Sequence, residues 1–279
     1  MKKRSHAINT IWTVVLTVLS VAWVYPVVMV LINSFKKDSA ISTNTAFQLP
    51  TAEGFAGLDN YANAIGSKGF LAAFFNSFII SVTSVVLILI CCSMCAWFIT
   101  RVKTWATKLC YFLFVFSMVV PFQMLMFTLA NLADKTKLNT PFNICIIYLG
   151  FGAGLAVFMF TGFVKSIPLE IEEAAMIDGC GPLRTFFLVV LPMLKPITAT
   201  ITITNVLWVW NDFLLPLIVI SDSKKYTLLL STNTLFGQYS SDWTAILSAL
   251  ILAALPVIGF YAVFQKQILK GIADGAVKG

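Results

Sequence analysis

The chain contains six stretches of apolar residues, each long enough to cross a membrane. An α-helix rises about 1.5 Å per residue, so about 20 apolar residues span the roughly 30 Å of hydrocarbon in a bilayer. Such stretches must be helical, because hydrocarbon offers backbone N–H and C=O groups no other hydrogen-bonding partner. The sequence therefore predicts an all-α integral membrane protein, with residues 1–279 forming a single membrane domain. The predicted spans are residues 11–32, 74–100, 109–132, 142–164, 197–220 and 243–264.

The composition of the chain excludes a soluble protein. Of its 279 residues, 59% are hydrophobic and only 11% are charged, whereas soluble domains carry about 25% charged residues. The formal net charge of +7 does not indicate a nucleic-acid partner. Most lysines and arginines lie just outside the apolar stretches, where basic residues orient helices in the bilayer. The partner that this pattern predicts is the lipid bilayer.

The distribution of basic residues predicts the orientation of the chain. With six spans, both termini lie on one side, and twelve of the 19 basic residues lie on that side. Three of the other seven lie in the long loop between the first two spans, and long loops cross the membrane largely regardless of charge. Both termini are therefore predicted to be cytoplasmic. The first apolar stretch is too long for a signal peptide, so we interpret it as a retained span.

The cysteines are interpreted as packing residues. Cys91, Cys92 and Cys95 have a spacing that is also found in metal sites. No histidine or carboxylate lies near them in the sequence, and the single histidine is His6. Small, soft side chains that pack within apolar helices are the simpler interpretation. No metal site is expected.

The polar segment 165–195 predicts two short helices joined by a tight turn. Ser166 is a candidate N-cap for a helix whose first turn contains Pro168 and acidic residues, all of which suit a helix N-terminus. Gly179 follows the end of that helix, and Pro182 is placed to begin the second one.

One face of the first of these helices is a candidate contact surface. Ile171, Ala174, Ala175 and Asp178 share that face by their spacing of three and four residues. Two alanines allow another backbone to approach closely, which suits a helix that lies in a groove of another protein. The alternative is a helix packed against its own chain.

The same segment resembles the EAA loop of ABC importer permeases. It contains Glu173-Ala174-Ala175, then Gly179, then Leu191-Pro192, and residues 167–179 look specifically like the carbohydrate-uptake branch of that family. Further matches occur in order between residue 60 and residue 279. They are Asn60-Tyr61, Phe75-x-Ser77, Pro121-x-Gln123, Leu138-Asn139-Thr140, Trp210-Asn211-Asp212-Phe213, Tyr226-Thr227-Leu228 and the closing Gly275-Ala-Val-Lys278-Gly279.

The resemblance implies a function and a set of partners. A second, different permease subunit would complete the translocation path, two cytoplasmic ATPase subunits would receive the EAA helices, and an extracytoplasmic binding protein would deliver a sugar. The location implied is the bacterial cytoplasmic membrane. We call residues 165–195 the coupling loop. Its implied ATPase-coupling residues are Glu173, Ala174, Ala175, Asp178, Gly179 and Gly181.

No catalytic residue and no cofactor is expected in this chain. The sequence lacks the G-x-x-x-x-G-K-[ST] pattern that holds nucleotide phosphates, so ATP and Mg²⁺ would be bound by the partner ATPase subunits. The closing sequence resembles that of the second permease of maltose-type systems. Gly275 and Lys278 are therefore candidate contacts of the C-terminal tail.

Asp212 is the single acidic residue within the six predicted spans. An ionisable side chain in a membrane span is by default a candidate functional residue. With Asn211 and Trp208 it offers hydrogen bonds and an aromatic ring to a sugar, so these three residues are candidates for the translocation path. The alternative is a hydrogen bond between helices, including one to the partner permease.

Other functions fit the sequence less well. An ABC permease for a solute such as a glycerol-phosphate derivative is the nearest alternative, since similar chains handle such solutes. A secondary transporter would be expected to have repeated halves or several intramembrane charges. A membrane enzyme would need a cluster of catalytic side chains, and a membrane scaffold would not need the coupling loop.

Overall fold

The computed structural model describes residues 2–43, 45–67, 69–235 and 242–276, and the side chains among them from residue 9 to residue 266. The regular structure of this part of the chain is helical. The helices are α1 (Lys2–Ser34), α2 (Asp38–Thr43), α3 (Asp59–Gly66), α4 (Phe70–Arg101), α5 (Trp105–Ser117), α6 (Phe122–Lys135), α7 (Ile144–Val164), α8 (Leu169–Ile177), α9 (Pro182–Thr185), α10 (Leu191–Met193), α11 (Lys195–Trp210), α12 (Leu214–Val219), α13 (Leu228–Asn233) and α14 (Trp243–Ala276). A π-helical turn, Phe186–Val190, joins α9 to α10.

Four of these helices are each long and apolar enough to cross a membrane: α1, α4, α7 and α14. Two further pairs of helices, each bent at a short break, are long and apolar enough to cross a membrane only when the two helices of the pair are taken together. They are α5 with α6, bent by 105°, and Pro182–Met193 with α11, bent by 78°. The described chain thus has four candidate spans, or up to six if each bent pair is one span. The predicted all-α membrane class is confirmed.

The third predicted span is not one continuous helix. α5 ends at Ser117 and α6 begins at Phe122. Pro121 directly precedes α6 with an extended backbone, φ −65° and ψ 135°. Proline has no N–H to donate to the preceding helical turn, and its ring clashes with that turn, so the helix breaks here.

The fifth predicted span, residues 197–220, is also interrupted. α11 ends at Trp210 and the short α12 begins at Leu214. The three residues between them include Asn211 and Asp212, which were predicted to lie within a continuous span. Both residues therefore lie at a break in the backbone.

The chain divides into two compact units, of which the first is Met1–Phe70 with Thr232–Leu255. In this unit the segment after α1 folds back onto the end of α1. The Asn60 side-chain amide donates hydrogen bonds to the carbonyls of Ser34 at 2.9 Å and Lys36 at 2.8 Å. The bond to Ser34 satisfies a carbonyl that the end of α1 leaves without a partner inside the helix.

The second unit is Leu71–Ser231 with Pro256–Gly279. Its core has two apolar clusters. One joins α4 and α7 to the coupling loop around Phe160 and Phe186, and the other joins α7 to α11 and α12 around Tyr148. Of the residues in the most apolar stretch of α7, 61% are buried within the chain. α7 is therefore the central helix of this unit.

Candidate functional site

The coupling loop forms the predicted helix–turn–helix. α8 is preceded by Pro168 and ends at Ile177, and Pro182 is the first residue of α9. The predicted cap is wrong: the Ser166 hydroxyl donates to the carbonyl of Phe163 at 2.7 Å and does not cap α8. Ser166 lies too early in the chain, because Pro168 takes the N-cap position and makes no side-chain cap bond.

The turn after α8 is built around Gly179. Its N–H donates to the Met176 carbonyl at 3.0 Å, and the N–H of Cys180 donates to the Ala175 carbonyl at 3.0 Å. This pair of bonds is a Schellman motif, which requires a left-handed residue just past the helix end. Gly179 has φ +85° and provides that conformation. Gly181, by contrast, has an ordinary φ of −69°.

The surface of α8 carries exposed apolar side chains among acidic ones. Leu169, Met176 and Ile177 are 48%, 47% and 85% exposed, and Glu173 and Asp178 are exposed as well. The acids show that this face is not a lipid-facing surface, because carboxylates are costly in hydrocarbon. An apolar surface of this kind commonly marks an interaction site.

The four residues predicted to share a contact face divide between two environments. Ile171, Ala174 and Asp178 are exposed, whereas Ala175 is only 9% exposed and lies against its own chain. The small side chain of Ala175 therefore allows α8 to lie close to the rest of the protein. Glu173 and Ala174 remain on the open face.

Glu172 anchors α8 to the end of α4, a feature that sequence reasoning missed. Its side chain is 1% exposed, and Arg101 Nη2 lies 2.6 Å from Glu172 Oε1 in a salt bridge. Arg101 Nε donates to the same oxygen at 2.9 Å, and Trp97 Nε1 donates to Glu172 Oε2 at 2.9 Å. Both carboxylate oxygens are thus hydrogen-bonded, which offsets the cost of burying the charge.

The same arginine also holds the start of the coupling loop. Arg101 Nη2 donates to the Ile167 carbonyl at 3.0 Å. The ring of Trp97 packs against Phe186, with centroids 5.4 Å apart, and Phe186 is fully buried. Phe186 begins the π-helical turn, a rare element that often occurs at functional sites. Together, Arg101 and Trp97 therefore contact α8 and the π-helical turn, two helical parts of the coupling loop.

The candidate path residues lie near the break between α11 and α12. Asp212 accepts a hydrogen bond from the Tyr148 hydroxyl at 3.0 Å and one from the N–H of Leu214 at 3.1 Å. Asn211 donates to the Leu207 carbonyl at 2.8 Å. Trp208 is 38% exposed and packs edge-to-face on Tyr148, with centroids 5.5 Å apart. Asp212 thus has partners within its own chain, and its path role stays a prediction.

Trp208 also lines a cavity of about 280 Å³ in the second unit. The cavity combines one side-chain amide, one hydroxyl and an aromatic ring with apolar walls. Its lining residues are Met118, Phe151, Gly152, Leu155, Thr204, Asn205 and Trp208.

Among the described residues, no three His, Cys, Asp or Glu side chains are grouped so that they could hold a metal ion. All six cysteines are free thiols. Of the tail candidates, Gly275 lies in α14, and Lys278 lies outside the described residues.

The fold and the site define an all-helical membrane protein that exposes a helix–turn–helix between two apolar segments. The chain belongs to the family described as binding-protein-dependent transport system inner membrane component, which matches residues 89–273.

The relatives and the fold agree with this family. The chain is 37% identical over 99% of both lengths to the "Probable starch degradation products transport system permease protein AmyC" of Thermoanaerobacterium thermosulfurigenes. It is 34% identical to the "Multiple sugar-binding transport system permease protein MsmG" of Streptococcus mutans, covering 99% of this chain and 100% of that one. The resemblance to carbohydrate-uptake permeases is confirmed.

A solved structure has the same fold. It is a bacterial ABC transporter involved in the import of the acidic polysaccharide alginate, and one of its chains matches with a TM-score of 0.79 at 22% identity. The match covers 94% of this chain and 96% of that one.

Proposed function

We propose that this permease is one of two different membrane subunits of an ATP-driven sugar importer, and that α8 docks on a cytoplasmic ATPase. The observation that carries the proposal is the exposed face of α8, where Met176 and Ile177 stand beside Glu173 and Asp178. A partner that covers the apolar side chains and offers polar groups to the acids would fit this face. An amphipathic helix that lies in a groove is a common mode of recognition.

The sugar substrate is supported by the relatives. Their names refer to starch degradation products, to multiple sugars and to melibiose, raffinose and stachyose. The family description supports a binding protein as the source of the solute. Within the proposal this chain forms half of the path, carries no cofactor of its own, and leaves ATP and Mg²⁺ to a pair of partner ATPase subunits.

The orientation of the chain is part of the proposal. The excess of basic residues on the side of the termini supports cytoplasmic termini. The coupling loop then faces the cytoplasm, where an ATPase can reach it. The segment around residues 222–228 faces the opposite side, where a binding protein would deliver the solute.

The docking surface is tested by recovery of the ATPase with tagged permease. Ala174 is exposed on α8, so Ala174→Trp should obstruct the groove contact and abolish recovery. Ala62, exposed on the short helix α3, provides the control, and Ala62→Trp should recover as much ATPase as the wild type. Normal recovery with Ala174→Trp would overturn the docking assignment.

The solute is tested with the complete complex in lipid nanodiscs. ATP hydrolysis is measured with the cognate binding protein and, in turn, maltotriose, raffinose and glycerol 3-phosphate. Stimulation by a sugar is expected. Stimulation by glycerol 3-phosphate alone would replace the sugar assignment with the phosphate-ester alternative, and no stimulation by any solute that the binding protein binds would overturn the importer assignment.

A further inference from the structure

We propose that α4 acts as a rigid connecting rod that carries movement of the coupling loop to the segment 222–228 at its other end. This inference rests on the proposed docking of α8 on an ATPase. The contacts that support it all lie in the second compact unit. They comprise one attachment at each end of α4 and an uninterrupted helix between them.

The sequence of α4 lacks the two residue types that the other long helices carry at their interruptions. Its 32 residues include neither proline nor glycine. By contrast, α1 contains Pro26, α14 contains Pro256, and α7 contains several glycines. Sharp kinks in helices arise mainly at proline, at glycine–serine pairs and at π-bulges, and glycine also gives a helix backbone more freedom. α4 therefore lacks the residues at which the other long helices can bend.

The first attachment is the buried charge pair between Arg101 and Glu172. Arg101 is the last residue of α4. Its Nε and Nη2 atoms donate hydrogen bonds to Glu172 Oε1 at 2.9 Å and 2.6 Å. Trp97, one turn earlier, donates to the other carboxylate oxygen. Paired donors on one planar carboxylate fix direction as well as distance. A displacement of α8 therefore moves the end of α4 with it.

The second attachment lies near the other end of α4. Asn76 donates through its side-chain amide to the carbonyls of Tyr226 at 3.1 Å and Lys224 at 3.4 Å. The hydroxyl of Ser77 accepts a hydrogen bond from the N–H of Leu228 at 2.8 Å, and this contact is buried. Asn76 and Arg101 are 25 residues apart, which is about 38 Å along a helix.

Between the attachments, α4 is held along one face by α7. Ile88, Cys92 and Ala96 are buried in the cluster that contains Phe160. A Cβ atom placed on Gly152 of α7 would lie 2.6 Å from Ile88 Cδ1, so the two helices are in close contact. Packed interiors transmit displacement because they have few voids in which it can be lost.

The test softens the rod without removing an attachment. Val86 and Ile90 are 46% and 41% exposed in the middle of α4. The double variant Val86→Gly/Ile90→Gly is compared with Val86→Ala/Ile90→Ala, which loses the same contacts but keeps a stiff backbone, since glycine is the flexible residue. The readout is ATP hydrolysis by assembled complex in nanodiscs, with and without binding protein and the sugar that stimulates the wild type most among maltotriose and raffinose.

Stimulation should persist in the alanine pair and fall at least about fivefold in the glycine pair, the lower limit of typical coupling between sites. Arg101→Gln and Asn76→Leu should each reduce stimulation, and the two together should be no worse than the more severe single variant, because either change severs the same connection. Equal stimulation in the glycine and alanine pairs would overturn the proposal that α4 acts as a rigid rod. So would a double variant of Arg101 and Asn76 whose loss of stimulation is the product of the two single losses. Absent stimulation in the wild type would instead overturn the proposed function.

Discussion

The turn between α8 and α9 allows the effect of backbone conformation to be separated from the effect of side-chain contacts. A Cβ atom added at Gly179 or at Gly181 would meet no atom within 4 Å. The two glycines differ in their backbones, since Gly179 has φ +85° and Gly181 has φ −69°. Gly179→Ala and Gly181→Ala are therefore a matched pair in which only the first strains the chain.

The magnitude follows from the left-handed conformation. A side chain at positive φ costs roughly 1–2 kcal/mol. At Gly181 the native backbone suits alanine, and such a change can stabilise by about 0.4–1 kcal/mol through the unfolded state. A cost of about 1–2 kcal/mol corresponds to a factor of about 5–30 in the ratio of native to non-native turn. Asparagine tolerates positive φ better than other residues with a Cβ, so Gly179→Asn should fall between the two variants.

The assay titrates the ATPase onto permease in nanodiscs. Gly179→Ala should weaken the apparent affinity by up to about 5–30 fold, the limit reached when the native turn becomes the minor state. Gly181→Ala should bind the ATPase with an affinity near that of the wild type. Amide hydrogen exchange of residues 176–181 gives a second measurement that does not depend on the partner, and it should accelerate only in the Gly179 variant. Equal affinity and equal exchange in the two variants would refute the conformational reasoning.

Two further predictions follow from close packing and from the break after α11. Gly154→Ala should lower the free energy of unfolding of the purified protein by about 1–3 kcal/mol, because the new Cβ would lie 2.8 Å from the Phe114 carbonyl oxygen. Gly150→Ala is the control and should not lower it, since a Cβ there meets no atom within 4 Å. Asp212→Leu should destabilise by about 1–3 kcal/mol, since it leaves the buried Tyr148 hydroxyl without its acceptor. If Asp212 contacts the solute, Asp212→Asn should slow uptake at normal yield of complex, and loss of yield in step with uptake would reject the path role.

The helix–turn–helix of the coupling loop could be predicted because its signals are local. Gly179 and Pro182 end one helix and begin the next within four residues, and each acts through its own backbone. The break at Pro121 could not be placed, since proline also occurs within continuous membrane helices. Apolar length alone does not distinguish a kink from a bend of 105°.

The anchoring of α8 could not be predicted, since its partners are far apart in the sequence. Arg101 and Glu172 are separated by 71 residues. In the sequence Arg101 is one of several basic residues at the ends of apolar stretches, and Glu172 is one of two adjacent acids. Only the packing of α4 against the coupling loop shows that Glu172 is the buried acid and Glu173 the exposed one.

α1 differs from the other long helices in that no residue of its most apolar stretch is buried within the chain. The share of that stretch buried within the chain is 0%, against 39% for α4 and 22% for α14. Membrane proteins form in two stages, with insertion of separate helices followed by their association. The mean hydropathy of 2.4 between Asn9 and Ser34 supports the first stage. Within the proposed importer, the apolar surface of α1 is left for lipid or for the second permease subunit to cover.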